Sequence, residues 1–184
     1  MSKKKIFFIL FPLIVGIGIY FLYRSRTLFY FKIFEIHPII YHYVVKLRDL
    51  AWSYRKHLPL WSVYSLPDGL WLFSFGAALL IDRLFYFFHL ILFTIIYILM
   101  IFLEFVQKYF GGHGTLLGTF DILDILFFTL GYLSILLISN FFYIQNRKNI
   151  NIKNNNYVIK KKEILEDLKI IILFAILGIL PSLL

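Results

Sequence analysis

Long apolar runs separated by short polar or basic stretches make up most of this chain. A transmembrane helix needs about 20 predominantly apolar residues, so the pattern predicts an all-α, multi-span transmembrane helical bundle of about five helices. The expected spans cover residues 6–23, 66–81, 84–103, 120–144 and 168–184. Asp82 and Arg83 form the polar turn between the second and third spans, where we expect an antiparallel hairpin and a pair between these two side chains.

The polar stretches divide the chain into five segments. These are an N-terminal anchor helix at 1–26, an interfacial amphipathic segment at 27–64, a transmembrane core at 65–144, a flexible basic and Asn-rich loop at 145–167, and a C-terminal transmembrane helix at 168–184. We interpret the first run as a retained anchor and not as a signal peptide, because no small-residue cleavage site follows Tyr23.

The interfacial segment contains a second kind of pattern. Apolar residues recur at helical spacing between Ile39 and Tyr54. Charged residues occupy the opposite side of the same helix: Lys46, Arg48, Asp49 and Arg55. This arrangement predicts an interfacial amphipathic helix that lies on the membrane surface or against the bundle.

The composition supports a membrane protein and excludes several other classes. Of the 184 residues, 61% are hydrophobic, above the roughly 45–50% of soluble domains. The net charge of +9 comes largely from basic residues beside the apolar runs, which is typical of membrane anchors and not of a nucleic-acid-binding domain. The absence of cysteine excludes disulfides, thiol catalysis, Cys-ligated zinc and iron–sulfur clusters.

Charge also gives an expected orientation and set of partners. The side of the predicted map that holds the N-terminus carries more Lys and Arg near span ends, so we expect a multi-pass protein with its N-terminus in the cytoplasm. The expected partners are membrane lipids, together with either another membrane protein or a second copy of the chain. The sequence specifies no cofactor.

Polar side chains interrupt the core at the ends of three spans, and they are the candidates for a functional cluster: Asp68, Glu104, Gln107, Asp121 and Asp124. An acid near membrane depth costs about 2.5–3.5 kcal/mol, so such residues usually face a protein interior or a wet cavity. Alternating spans bring these helix ends to one surface, which is the outer one if the N-terminus is cytoplasmic. Gly131 continues the face of the last two acids and would allow close helix packing.

Several of these residues also have a purely structural interpretation. Asp121 can cap the fourth span with Asp124 at its third position, and Ser65 with Asp68 matches a capping box. Glu104 is harder to explain in this way, because the dipole at a helix C-terminus disfavours an anion.

The histidines offer little metal chemistry. His113, in the glycine-rich loop, is a weak candidate metal ligand, and the acids would have to supply the other ligands of such a site. For His89 we expect a hydrogen bond to another helix in preference to a proton relay.

The candidate cluster carries a family resemblance. The stretch from Glu104 to Gln107 (EFVQ), the stretch from Gly118 to Asp124 (GTFDILD) and the following Gly131 resemble the motif of the VanZ-like membrane proteins. The resemblance covers roughly residues 65–140. It departs from the family pattern at Gly118, where the family has an arginine, and at Phe128, where it has an asparagine.

The resemblance implies a helical domain of the bacterial inner (cytoplasmic) membrane, in a family whose founding relative is linked to glycopeptide-antibiotic tolerance. It implies no specific molecular activity. Our first hypothesis is therefore a VanZ-like cell-envelope protein whose acidic cluster recognises a lipid headgroup or another cationic group. The alternatives are a lipid-modifying or metal-dependent membrane enzyme, with the acids as ligands or as general acid and base, and an accessory subunit of a larger membrane complex.

Overall fold

The computed structural model describes residues 2–24, 35–112, 119–147 and 156–179, and all regular structure in these ranges is helical. The α-helices are α1 (Lys3–Tyr23), α2 (Pro38–Ser53), α3 (Leu60–Tyr64), α4 (Leu66–Leu80), α5 (Tyr86–Phe110), α6 (Ile122–Arg147) and α7 (Asn156–Ile179). A 3₁₀ turn at Arg55–His57 lies between α2 and α3. The prediction of an all-α protein is confirmed.

Three of these helices are long and apolar enough to cross a membrane. They are α1, α5 and the α6 residues Ile122–Gln145, and most of their surface is exposed, as expected for helices that face lipid. The apolar helix α4 is shorter than such a span. The described part of the chain therefore supports a membrane-embedded protein with three candidate spans.

The short helix α4 is the centre of the bundle. Most of its side chains are buried, and it packs most extensively against α1 and α6, with further contacts to α5 and α7. A helix that is apolar on all sides is expected to be buried in this way. Its 15 residues extend roughly 22 Å at about 1.5 Å per residue, against about 30 Å for a bilayer core. Asp68, in its first turn, is partly buried among the helices that surround α4.

Two glycines allow α4 and α6 to cross at backbone contact. A Cβ atom on Gly131 would lie 2.4 Å from the backbone oxygen of Gly69, and a Cβ on Gly69 would lie 2.6 Å from the backbone oxygen of Phe127. Neither distance is compatible with a side chain. Gly131 on α6 therefore lies directly against Gly69 on α4. Gly69 is the residue that follows Asp68.

Hydroxyl groups join α5 to α6 at three levels. Three interhelical hydrogen bonds link Tyr86 to Ser139 at 3.1 Å, Thr94 to Tyr132 at 2.8 Å and Tyr97 to Thr129 at 2.9 Å. The rings of Tyr97 and Tyr132 also stack, with centroids 4.2 Å apart. Bonds of this kind contribute on average about 0.6 kcal/mol each in membrane helices, so the ladder fixes the register of the pair.

The stretch 145–167 is not a loop throughout. Helix α6 continues to Arg147, and α7 begins at Asn156, well before the expected start near Leu168. Residues 148–155 and 180–184 lie outside the described residues. The prediction missed the helix because it gave most weight to the asparagines, whereas the acids Glu163, Glu166 and Asp167 hold this part of α7 against the basic turn before α5.

The amphipathic helix is present as α2, but one of its charged residues does not face solvent. The Arg48 side chain is buried, where its guanidinium donates to the backbone oxygens of Phe21 and Arg24 at the end of α1. Arginine is favoured there because it satisfies helix carbonyls that have no partner within α1. The described helix is therefore fastened to the bundle on its basic side and exposes apolar residues elsewhere.

Candidate functional site

Three carboxylates from three helices converge at one end of the bundle. Asp68 lies in the first turn of α4, Glu104 in the last turns of α5 and Asp124 in the first turn of α6. Asp124 interacts electrostatically with both of the other acids, and Glu104 also interacts with Asp68. We call these three residues the acidic site. Because their repulsion acts in largely apolar surroundings, the site favours occupation by a positive charge.

Glu104 has the smallest solvent-exposed fraction of the three. Its exposed fraction is 6%, and its Oε2 atom has no hydrogen-bond partner among the described residues. The backbone N–H of Asp121 interacts with this carboxylate as a hydrogen-bond donor. A buried carboxylate oxygen without a donor costs about 1–3 kcal/mol or more, so Glu104 is expected to have a ligand, a water molecule or a proton there.

Asp68 is held by a short chain of hydrogen bonds from α1. The Tyr20 hydroxyl donates to Asp68 Oδ1 at 3.0 Å and accepts from Arg24 Nη2, also at 3.0 Å. The Arg24 guanidinium lies over the rings of Tyr20 and Tyr64, 4.3 and 4.6 Å from their centroids. Arg24 therefore adds a fixed positive charge beside the acidic site, where it interacts with Asp68 and Asp124.

Asp121 has a structural role. Its Oδ1 atom accepts from the backbone N–H of Leu123 at 2.9 Å, which caps the N-terminus of α6 as the capping interpretation predicted. We expect Asp121→Ala to lower the free energy of unfolding by about 0.5–2 kcal/mol, because this N–H loses its acceptor. Asp121→Ser, which keeps a capping oxygen, should lose less. Thermal denaturation of the detergent-solubilised protein would measure both, and equal losses would contradict a capping role.

The capping box predicted for Ser65 and Asp68 is wrong. Ser65 precedes α4 but makes no side-chain cap, because its backbone continues the helical path of α3 and the second residue of α4 is Pro67, which has no N–H. Its side chain is fully buried beside Asp124, and its hydroxyl interacts with the Asp124 carboxylate as a hydrogen-bond donor. Ser65 thus lines the acidic site with a buried hydroxyl group.

The structure leaves the other predicted residues at the edge of the site or outside it. Gln107 is half-buried one turn beyond Glu104 on α5. His113 and Gly118 fall outside the described residues. Among the residues that are described, no group of three His, Cys, Asp or Glu side chains has the arrangement of a metal site.

A second polar cluster lies at the opposite end of the bundle, where α7 meets the turn before α5. Arg83 pairs with Asp167 at 3.1 Å and with Glu166 at 3.0 Å, so the expected pair with Asp82 is wrong. Asp82, at φ 58°, turns the chain and accepts from Ser2. His89 Nε2 lies 2.9 Å from Asp167 Oδ2, which agrees with the expected interhelical contact. Burial raises the pKa of Asp167, and His89 and Arg83 partly offset this effect.

The sequence interpretation missed Arg24 and Tyr20. Both lie at the end of the first span, where they share a helix face because they are four residues apart. The alternation of spans that placed the start of the second span beside Glu104 places the end of the first span there too. The position of Arg24 at this helix end could therefore have indicated that it lies near the acids. It was instead grouped with the basic residues of the interfacial segment that follows.

Comparison of the chain with models of known families, with curated proteins and with solved structures found no match.

Proposed function

We propose that this chain is a VanZ-like integral membrane protein of the bacterial cell envelope, and that its acidic site binds a cationic group at the outer face of the cytoplasmic membrane. The observation that carries the proposal is that Asp68, Glu104 and Asp124, from three helices, lie within electrostatic range of one another, with a buried Glu104 oxygen that lacks a hydrogen-bond donor among the described residues.

Charge balance favours a cationic ligand. Arg24 supplies one positive charge beside three carboxylates, and these carboxylates lie among apolar helices where isolated anions are costly. An ammonium group offers several N–H donors that would satisfy the free oxygen of Glu104. The same group would relieve the repulsion between the acids.

An organic cation suits the site better than a metal ion. Hard cations such as Mg²⁺ or Ca²⁺ need six or more oxygen ligands in defined geometry, and the described acids lack such an arrangement. An ammonium ion is less demanding, since separate hydrogen bonds to carboxylates on different helices are sufficient. This difference favours recognition of an amine over metal-dependent catalysis.

The envelope role can be tested in a bacterium that expresses the full chain. Wild type, Glu104→Gln and Asp124→Asn would be compared for susceptibility to glycopeptides and to cationic envelope-active compounds, with membrane levels measured by immunoblot. We expect each substitution to abolish the change in susceptibility that the wild type confers, because each removes one charge from the acidic site and leaves its volume unchanged.

Glu166→Gln is the matched control, since it also neutralises a carboxylate but lies at the opposite end of the bundle with its side chain 52% exposed. It should behave as the wild type does. If well-expressed Glu104→Gln and Asp124→Asn retained full effect, the acidic site would have no part in the function.

A further inference from the structure

The acidic site is bordered by a cation that still has hydrogen-bonding capacity. Arg24 Nη2 donates to the Tyr20 hydroxyl and to the backbone oxygen of Tyr64, both at 3.0 Å. The buried Nε atom of the same guanidinium has no acceptor among the residues that the structure describes. A guanidinium held between two aromatic rings with a free N–H is well suited to bind a phosphate oxygen.

On the other side of the site, the unsatisfied group is an acceptor. Glu104 Oε2 lacks a hydrogen-bond partner within the described ranges, and the donor that faces Asp124 is the Ser65 hydroxyl. Glu104 is 6% exposed, so its free oxygen lies inside the protein and not at a solvated surface. This acceptor requires a donor, whereas Arg24 requires an acceptor.

A ligand with a single charge satisfies only half of this arrangement. A simple ammonium would leave the Nε atom of Arg24 unsatisfied, and a simple phosphate would be repelled by the three carboxylates. A ligand that carries a positive and a negative group a few bonds apart would satisfy both sides of the site. Tyr20, which bonds to Arg24 and to Asp68, fixes the separation between the positive and negative parts of the site.

The surroundings favour a ligand with acyl chains. Close to Glu104 and Asp124, the outward faces of α5 and α6 expose large apolar side chains, namely Phe102, Phe105, Ile122 and Leu126. Such faces suit lipid tails, and the headgroup of the same lipid would lie level with the polar helix ends.

We propose that this site binds the zwitterionic headgroup of a phospholipid that carries a primary ammonium, as phosphatidylethanolamine does. The ammonium lies among Asp68, Glu104 and Asp124, and the phosphate accepts from Arg24. This assignment rests on the proposed function, because it presupposes that the acids bind a cation.

The experiment uses the purified full-length protein in detergent and measures lipid binding by native mass spectrometry. The probes are phosphatidylethanolamine, phosphatidylglycerol, a long-chain alkylammonium, and O-phosphoethanolamine as a competitor without acyl chains. We expect phosphatidylethanolamine to bind at least about tenfold more tightly than either partial ligand, since each lacks a charge-assisted hydrogen bond. Free O-phosphoethanolamine should compete only weakly.

Variants assign the two halves of the headgroup. Glu104→Gln should weaken binding of phosphatidylethanolamine and of the alkylammonium by roughly tenfold or more. Arg24→Lys, which keeps the charge but removes the guanidinium, should weaken binding of phosphatidylethanolamine and leave binding of the alkylammonium unchanged. Glu166→Gln should change neither. The wild-type comparison among probes holds even if the Arg24 variant fails to fold.

The outcomes separate this inference from the proposed function. If the alkylammonium binds as tightly as phosphatidylethanolamine and depends on Glu104, the phosphate contact is wrong, but the cation site stands. If the affinity of O-phosphoethanolamine in the competition equals that of phosphatidylethanolamine, the acyl chains contribute nothing and the ligand is a soluble zwitterion. If no probe binds, or if Glu104→Gln binds all of them as the wild type does, both proposals are overturned.

Discussion

Asp167→Ala is expected to destabilise the folded protein by about 3–5 kcal/mol and to release α7 from the bundle. Asp167 is 3% exposed and pairs with two buried partners, Arg83 at 3.1 Å and His89 at 2.9 Å. Without the carboxylate, the Arg83 guanidinium keeps a single ion pair within the described ranges, to Glu166, which is half exposed. Thermal denaturation in detergent would measure the loss, and limited proteolysis would detect the release of α7.

The hydrogen bonding of His89 explains why this carboxylate matters so much. His89 Nδ1 lies 2.7 Å from the backbone oxygen of Phe85, and Nε2 faces Asp167, so both ring nitrogens face oxygen atoms. With alanine at 167, the carboxylate nearest to Nε2 among the described residues is that of Glu163, 4.0 Å away. Asp167→Ala therefore takes the close carboxylate from a buried imidazole as well as from a buried guanidinium.

Glu166→Ala is the matched comparison, because Glu166 also pairs with Arg83 but has a side chain that is 52% exposed. Exposed pairs contribute about 0–1 kcal/mol, so the loss should be small. Equal losses for the two variants would mean that burial of Asp167 has no energetic consequence. Full stability of Asp167→Ala would show that α7 is held by its apolar contacts, such as that of Phe174 with Phe75.

Hydrophobic periodicity predicted the helices well, because long apolar runs in a membrane protein have few alternatives to a helix. The hairpin at Asp82 and the position of α4 followed from the same pattern. The start of α7 did not, since its first turns are polar and are stabilised by Arg83 and His89 from distant parts of the sequence. Local composition carries no information about such partners.

The sequence was sufficient to predict which helix ends contribute acids to the site, but not the contacts that their side chains make. Alternation of spans placed Asp68, Glu104 and Asp124 at one end, and the structure brings them within electrostatic range of one another. The roles of Ser65 and Arg24 required the fold, because each depends on a backbone path. Ser65 is buried since α3 runs directly into α4, and Arg24 reaches the site since α1 packs against α4.

Gly131→Ala is expected to destabilise the protein by about 1–3 kcal/mol and to weaken ligand binding at the acidic site. The added Cβ would lie 2.4 Å from the backbone oxygen of Gly69, and a backbone atom in a central helix cannot move aside alone. Helices α4 and α6 must therefore separate, which also separates Asp68 from Asp124. Thermal denaturation and alkylammonium binding would report the two effects.

Two other glycines distinguish this backbone clash from a general effect of adding a methyl group. At Gly76 the new Cβ would meet the ring of Phe93 at 2.5 Å and a methyl group of Ile135 at 2.7 Å. Both side chains are fully buried, so Gly76→Ala should also destabilise the protein, but it clashes with side chains two turns from Asp68 and should disturb alkylammonium binding less than Gly131→Ala. At Gly18 nothing lies within 4 Å among the described residues, and alanine should be neutral or stabilising by up to about 1 kcal/mol. If Gly131→Ala were as stable as Gly18→Ala and bound the alkylammonium normally, α4 and α6 would have room to move apart without disturbing the site. The spacing between Asp68 and Asp124 would then not be set by their glycine crossing.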